Sequence, residues 1–333
     1  MKKKLTFLGA LALIGAWCVH RNKKYPLAKE YSVYNKVAMN GAMINEYTVK
    51  LKNKITEHKN LPPVFDELEK IVKIIKTRDQ SEIELSIYQA KDINKKQPCL
   101  VYFHGGGFFL KDEPHIHKIV MKYATCAKCC VVFVHYRTSD EHPFPIPFYD
   151  CCDGVKYVWE HVEELHIDKT RIAVGGDSAG GALAASCTHW CKEAKIPLCF
   201  QMLIYPVIDI RMMSKTAIKY KDSPIWNSRM SKRMWELYLR NGVAEKIEYI
   251  SPILAKDFSN LPPAFIEVCE FDSLYDEGVM YAETLKKYNI PVELSKIEGG
   301  IHAFDSIENT ELTKNAMDLR CNALLHAFYK DDH

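Results

Sequence analysis

Apolar and polar positions alternate regularly along the chain from Ile83 onward. Short runs of mostly apolar residues are separated by longer runs whose apolar residues recur at helical spacing. Continuous apolar runs are typical of strands buried on both faces, so the alternation predicts a mostly parallel sheet with helices on both sides. The predicted strands are Ile83–Gln89, Cys99–Phe103, Cys130–His135, Arg171–Val174, Leu198–Tyr205, Ala264–Cys269 and Val292–Ile297. The predicted helices are Cys151–Leu165, Ala179–Ala194, Glu277–Tyr288 and Glu308–Phe328.

Two segments interrupt this alternation. Tyr25 to Arg78 mixes polar and apolar residues and is predicted to be helical. Ile208 to Ile250 is rich in methionine and aromatic side chains, which form adaptable apolar surfaces. The simplest interpretation of both is a packed helical insertion. The large apolar side chains of the second segment are Met212, Met213, Trp226, Met230, Met234, Trp235, Tyr238 and Leu239.

A candidate nucleophile lies between the predicted strand Arg171–Val174 and the helix Ala179–Ala194. The stretch Gly176-Asp177-Ser178-Ala179-Gly180 has the pattern G-x-S-x-G. A serine on a sharp turn between a strand and a helix exposes its hydroxyl next to the positive end of the helix dipole. The alternative is a glycine-rich turn in which the serine only caps the helix.

A second glycine-rich loop follows the strand Cys99–Phe103. His104-Gly105-Gly106-Gly107 leaves its backbone N–H groups unobstructed by side chains. Together with the N–H of Ala179, such groups can stabilise the negative oxygen that develops during acyl transfer. A glycine run alone is weak support, because a flexible turn is its usual meaning. Its pairing with the serine turn makes the pattern specific.

A nucleophilic serine needs a base, and the base needs a carboxylate to orient it. His302 lies in a loop just after the strand Val292–Ile297. Two carboxylates, Asp272 and Asp276, follow the strand Ala264–Cys269 and compete for the orienting role. Asp276 opens a predicted helix, where capping is the expected role of an aspartate. Asp272 lies nearer the strand end and is favoured.

These motifs resemble those of a known family. The order Ser, Asp, His along the chain is that of α/β-hydrolases. H-G-G-G before G-D-S-A-G-G is similar to the hormone-sensitive lipase family of esterases, which includes bacterial acetyl esterases and arylacetamide deacetylases. The resemblance extends from about Ile83 to Phe304. One departure is Thr138-Ser139-Asp140, where family members usually carry Leu-Ala-Pro after Tyr-Arg; it lies outside the proposed triad. Further similar stretches are Tyr136-Arg137, Glu141–Pro145, Leu203–Val207, Leu261–Phe265, Asp276–Gly278 and Tyr281-Ala282.

The resemblance implies an α/β-hydrolase fold and a role for each candidate residue. Ser178 would be the nucleophile, His302 the base and Asp272 the acid. Gly105, Gly106 and Ala179 would form the oxyanion hole. Two segments, at about residues 25–78 and 208–250, would form a helical cap over the site.

The expected activity is that of a serine carboxylesterase acting on short- to medium-chain acyl esters. An acyl-enzyme intermediate would form, with no metal or organic cofactor. An amidase, deacetylase or peptidase with the same triad is the alternative. A ligand-binding protein on an inactive scaffold is less well supported, because no triad member is missing.

The N-terminal segment has a separate pattern, an apolar run between two basic stretches. Met1-Lys2-Lys3-Lys4 precedes the uncharged, mostly apolar run Leu5 to Val19, and the basic stretch His20 to Lys24 follows it. As a helix this run would span about 22 Å, less than the roughly 30 Å of a bilayer core. A short membrane anchor is therefore predicted for residues 1–24, with possible membrane association. A cleaved signal peptide of a secreted protein, or a buried helix of a cytoplasmic one, is the alternative.

Composition further limits the expected partners, domain number and cellular compartment of the protein. The formal net charge of +3 over 333 residues is too small to indicate a nucleic-acid partner. A single α/β-hydrolase domain over residues 25–333 fits the length. Twelve cysteines lie mostly in predicted strands and helices, so we expect free thiols and a reducing compartment. Cys126-x-x-Cys129 lacks a second matching pair, which argues against a zinc site.

Overall fold

The computed structural model describes residues 18–20, 24–93, 95–243 and 245–330. A short antiparallel pair, β1 (Cys18–His20) and β2 (Val37–Met39), precedes the main sheet. The eight strands of that sheet are β3 (Leu68–Lys76), β4 (Glu82–Ala90), β5 (Gln97–Phe103), β6 (Cys130–His135), β7 (Ile167–Asp177), β8 (Phe200–Ile204), β9 (Ala264–Cys269) and β10 (Val292–Ile297).

The main sheet has the strand order β10-β9-β8-β7-β5-β6-β4-β3. All neighbours from β10 to β6 are parallel, whereas β4 pairs antiparallel with both β6 and β3. The carboxyl ends of the parallel strands therefore meet at one edge, where ligands bind in folds of this kind. The predicted mostly parallel sheet is confirmed.

Helices cover both faces of the sheet. Strand side chains alternate between the two faces, so Val101 of β5 joins one core while Leu100 and Tyr102 join the other. The helices are α1 (Glu46–Thr56), α2 (Pro114–Cys126), α3 (Ile146–Glu160), α4 (Ala179–Ala194), α5 (Lys215–Lys219), α6 (Ser228–Tyr238), α7 (Tyr275–Lys287) and α8 (Glu311–Tyr329). Helices α3, α4 and α7 pack on the first face, and α2 and α8 pack on the second. Short 3₁₀ turns occupy Lys29–Lys36, Gly41–Met43, Ile247–Tyr249, Pro252–Leu254 and Phe304–Ser306.

The prediction that Tyr25 to Arg78 is helical is wrong for Val37–Met39, which form β2, and for its last part. Residues Leu68–Lys76 form β3, the outer strand of the sheet, and pair with β4 along nine residues. Lysines at positions 70, 73 and 76 recur every third residue, a spacing that resembles a helix. The strand is only partly buried because it lies at the sheet edge, so pairing rather than burial determines its conformation. The first cap segment cannot extend to residue 78.

The expectation of free thiols is wrong for one pair. Cys126 at the end of α2 and Cys321 in α8 form a disulfide across 195 residues of sequence. Sequence spacing cannot reveal a pairing between such distant helices. The other nine cysteines whose side chains are described are free, and all except the half-buried Cys199 are buried.

The N-terminal apolar run lies almost wholly outside the described residues. Of Leu5 to Val19, only positions 18 and 19 are described, as part of β1. No helix in the described ranges combines the length and the apolar character that crossing a bilayer requires.

Candidate active site

Ser178 occupies a sharp turn between β7 and α4. Its backbone has φ 55° and ψ −116°, a conformation that non-glycine residues rarely adopt. The neighbouring glycines permit the close approach of strand and helix. A Cβ atom on Gly180 would lie 1.9 Å from the carbonyl oxygen of Phe103, and one on Gly176 would lie 2.4 Å from the carbonyl carbon of Gly180. The turn therefore depends on glycine at both positions.

Three of the predicted site residues meet at the carboxyl edge of the sheet. The Oγ of Ser178 lies 2.8 Å from Nε2 of His302, and Nδ1 of His302 lies 2.6 Å from Oδ2 of Asp272. All three are buried, with exposed fractions of 5%, 4% and 1%. A serine hydroxyl, an imidazole and a carboxylate in this order can transfer a proton away from the hydroxyl as it attacks an acyl carbon.

The two candidate carboxylates have different environments. Asp272 contacts His302, and its other oxygen accepts a hydrogen bond from the Leu274 backbone N–H at 3.0 Å. Asp276 instead accepts from the Thr216 backbone N–H at 2.8 Å. The N-cap of α7 is Leu274, so the expected capping role of Asp276 is wrong. Asp276 lies in the first turn of α7 and joins it to α5.

One of the three predicted oxyanion-hole amides already has an acceptor within the protein. The Gly105 backbone N–H donates to Oδ1 of Asp177 at 3.0 Å, and the Tyr102 hydroxyl donates to the same oxygen at 2.9 Å. The Gly105 amide is therefore already engaged. Burial raises the pKa of Asp177. The sequence could not reveal this contact, because it brings together two loops 72 residues apart.

In the described structure, the backbone amides of the next two glycines are free, whereas that of Gly105 is hydrogen-bonded. Gly106 and Gly107 have φ of +116° and +62°, and within the described part of the chain their N–H groups donate to no protein acceptor. The third predicted donor, Ala179, is the first residue of α4, where a backbone N–H has no partner inside the helix. Gly107 was missed because the three glycines look alike in sequence.

His104 packs between aromatic rings and contacts the start of the glycine loop. Its ring stacks on Tyr136 at 4.3 Å between centroids and on Phe133 at 5.7 Å, and its Nδ1 lies 2.6 Å from the Gly105 carbonyl oxygen. Burial lowers the pKa of His104 to about 4. A neutral imidazole can donate its Nδ1 proton to that carbonyl, which fixes the start of the loop.

A buried charge cluster that sequence reasoning missed supports the His302 loop. Arg320 of α8 donates to Oδ2 of Asp305 at 2.7 Å and to Oε1 of Glu267 at 2.5 Å. Tyr205 donates to Oδ1 of Asp305 at 2.7 Å, and its ring lies against His302 with centroids 4.8 Å apart. Burial opposes ionisation of Asp305, yet the Arg320 guanidinium holds its pKa below the usual value. Only the position of Asp305, three residues after His302, hinted at this role.

Aromatic side chains from residues 208–250 lie close to His302 and to Phe108 beside the glycine loop. The Trp226 ring lies 5.9 Å from the His302 ring, between centroids. The Phe108 ring, next to the glycine loop, stacks on Tyr238 at 4.0 Å and contacts Trp235 at 5.6 Å. All of these are buried. In the described ranges, no cluster of His, Cys, Asp or Glu could hold a metal ion.

Known proteins similar to this chain include several esterases. Residues 100–306 match the profile of a family described as "alpha/beta hydrolase fold". The chain is 30% identical to an arylesterase of Saccharolobus solfataricus, over 76% of this chain and 84% of that protein. It is 32% identical to carboxylesterase NlhH of Mycobacterium tuberculosis, over 67% and 72%. The crystal structure of a bacterial heroin esterase matches with a TM-score of 0.73 at 27% identity, covering 84% of this chain and 89% of that one.

The fold and these matches define the class of the protein as a carboxylic-ester hydrolase. More closely, the chain belongs to the α/β-hydrolase family, in the group of esterases related to hormone-sensitive lipase. The resemblance found in the sequence is thereby confirmed.

Proposed function

We propose that this chain is a serine carboxylesterase that uses Ser178, His302 and Asp272 as a catalytic triad. The observation that carries the proposal is the unbroken chain of contacts from Ser178 Oγ through the His302 ring to Asp272. His302 takes the serine proton as Oγ attacks the ester carbonyl, and later returns it to the leaving alcohol. Water then attacks the acyl-enzyme, again with His302 as the base.

The tetrahedral intermediates carry a negative oxygen that needs donors. The amides of Gly106, Gly107 and Ala179 are the proposed oxyanion hole, which replaces Gly105 by Gly107. Removing one such donor typically costs about 10²- to 10³-fold in turnover. The conformation of the glycine loop depends on Gly107, because a Cβ there would lie 2.6 Å from the Phe109 ring.

The substrates we propose are esters with short to medium acyl chains. The three triad side chains are at most 5% exposed, and Trp226 lies over the His302 ring. Phe108, Trp235 and Tyr238 add an apolar wall beside the glycine loop. A small acyl group can be enclosed by such a wall, whereas a long chain would have to displace it.

A panel of p-nitrophenyl esters from acetate to palmitate tests both proposals. We expect kcat/KM to be highest between acetate and about octanoate. Matched p-nitroanilides of the same acyl groups are used to measure amide hydrolysis. We expect them to react far more slowly than the esters. Highest activity on palmitate would contradict the chain-length proposal, and faster amide than ester hydrolysis would contradict the ester assignment.

A further inference from the structure

A cationic cavity lies on the cap, apart from the triad. Its volume is about 370 Å³, within the range of small-molecule sites. Four basic side chains and one carboxylate contribute to its lining, which gives the lining a formal charge of +3. The lining residues are Lys24, Ala38, Met39, Asn40, Gly41, Lys219, Lys221, Asp222 and Arg229.

The described residues leave most of the positive charge of this cavity unpaired. Lys24 pairs with Asp222 at 2.9 Å. Among the residues that the structure describes, no carboxylate pairs with Lys219, Lys221 or Arg229. Like charges around one concavity repel each other and raise the local positive potential. An anionic ligand would relieve that repulsion.

The walls of the cavity are held by buried contacts rather than by loose surface loops. Asn227 caps α6 by accepting from the Met230 backbone N–H, and its side-chain amide donates to the Met39 carbonyl at 3.1 Å. A Cβ on Gly41 would lie 2.9 Å from the Arg229 backbone, so the two segments pack closely. Arg229 also lies in the first turn of α6, where the helix dipole adds partial positive charge. The backbone that carries Arg229 is therefore held in place against the segment at Met39 and Gly41.

We propose that this cavity binds a phosphate-bearing anion. A phosphate group carries up to two negative charges and three acceptor oxygens, which suit lysine ammonium groups and an arginine guanidinium. The phosphate can belong to a free metabolite or to the headgroup of an anionic lipid. Lys24 is the last residue of the basic stretch that follows the apolar run Leu5 to Val19, which makes a lipid source chemically consistent.

This site is independent of the proposed esterase function. None of its lining residues belongs to the triad, so the Ser178→Ala variant should bind phosphate as the unaltered protein does. A failure to bind and a failure to hydrolyse esters would therefore be separate results.

The experiment uses the full chain and measures binding of inorganic pyrophosphate by isothermal titration calorimetry. A parallel arm measures sedimentation with phosphatidylcholine vesicles that contain phosphatidylserine. The test variant is the triple substitution Lys219→Gln, Lys221→Gln and Arg229→Gln. Its matched control, Lys91→Gln with Lys286→Gln and Lys287→Gln, removes the same charge from exposed positions outside the cavity. Thermal unfolding and p-nitrophenyl acetate hydrolysis check that both triple variants fold.

We expect the cavity variant to bind at least about tenfold more weakly and the control to bind within about twofold of the unaltered protein. A loss seen only with pyrophosphate identifies a free phosphate ligand, and a loss seen only with vesicles identifies a lipid headgroup. Either result supports the site. Equal losses in both triple variants, or no loss in the cavity variant, would overturn the proposal.

Discussion

The carboxyl edge of the sheet and the cap are held in place by different forces. At the sheet edge, buried polar groups contact two of the loops, as Asp177 contacts the glycine loop and Asp305 lies in the His302 loop. In the cap, the ion pairs are partly exposed. Lys52 and Lys59 of the first cap segment pair with Glu113 at the start of α2, and Arg240 of the second segment lies 3.3 Å from Glu46 of the first. Exposed pairs contribute at most about 1 kcal/mol each, whereas breaking a buried pair costs several.

This difference indicates how the two regions tolerate change. In the proposed mechanism the sheet edge carries the geometry of the reaction, so a small substitution there should abolish turnover or unfold the protein. The proposed cap would carry the contacts that select the acyl group, and it should accept substitutions with modest effects on turnover.

The largest effect is expected for Ser178→Ala. A methyl group cannot attack an ester, so kcat should fall by about 10⁴-fold or more. The fold should be retained, because the side chain bonds only to His302 among the described residues. Turnover is measured with p-nitrophenyl acetate and folding by thermal unfolding. Near-normal turnover would show that Ser178 is only part of a turn.

Asp272→Asn should reduce kcat by about 10⁴-fold, because an amide at this position favours the wrong tautomer of His302. Asp276→Asn is the matched control. The asparagine oxygen can still accept from the Thr216 N–H, so turnover should change by less than about threefold. The opposite ranking of the two variants would mean that Asp276 is the orienting carboxylate.

Arg320→Met should lower the free energy of unfolding by about 3–5 kcal/mol, because it leaves Glu267 and Asp305 buried without their cation. Urea unfolding measures this loss. A milder variant, Tyr205→Phe, keeps the ring on His302 but removes one hydrogen bond to Asp305. We expect it to be destabilised by about 1–3 kcal/mol. Unaltered stability of Arg320→Met would contradict the structural role of this cluster.

Acid should destabilise the protein through two buried histidines. Burial lowers the pKa of His104 and of His189 to about 4, from an ordinary value of 6.5. As the pH falls from about 6.5 to 4, the unfolded chain takes up protons that the folded chain does not, so the free energy of unfolding falls. His189 lies on α4, and its Nε2 has no partner in the described structure.

His189→Leu should therefore reduce this acid sensitivity by about 1–3 kcal/mol between pH 7 and pH 4.5. The measurement is urea unfolding of both proteins at the two pH values. An equal loss of stability in both would show that His189 is protonated in the folded state.

The smallest effect is expected for the cap variant Trp226→Leu. This change shortens the wall beside His302 without introducing a polar group. We expect less than about tenfold change in kcat on acetate, together with a shift of optimum acyl length by a few carbons. An effect as large as that of Asp272→Asn would break the distinction between cap and sheet edge.

The sequence predicted most reliably the bounds of strands and helices that have continuous apolar runs. The bounds of β6, β9 and α4 agree with the prediction, because each is a buried element with a clear start and end. The bounds of β10 also agree, although this edge strand is only partly buried. The outer strand β3 was missed because its lysines recur at helical spacing. The choice among Gly105, Gly106 and Gly107 depends on which amide Asp177 engages, and that contact forms only in the folded chain.

The disulfide between Cys126 and Cys321 has a topological consequence for the catalytic site. Ser178, Asp272 and His302 all lie between the two cysteines in sequence, whereas the glycine loop and the first cap segment lie before them. Closing a loop of this size removes about 5 kcal/mol of chain entropy from the unfolded state. A single protease cut anywhere inside the loop would leave the two pieces covalently joined, so the triad members would stay tethered to one another. Such a nicked chain would run as two fragments on a gel only after reduction.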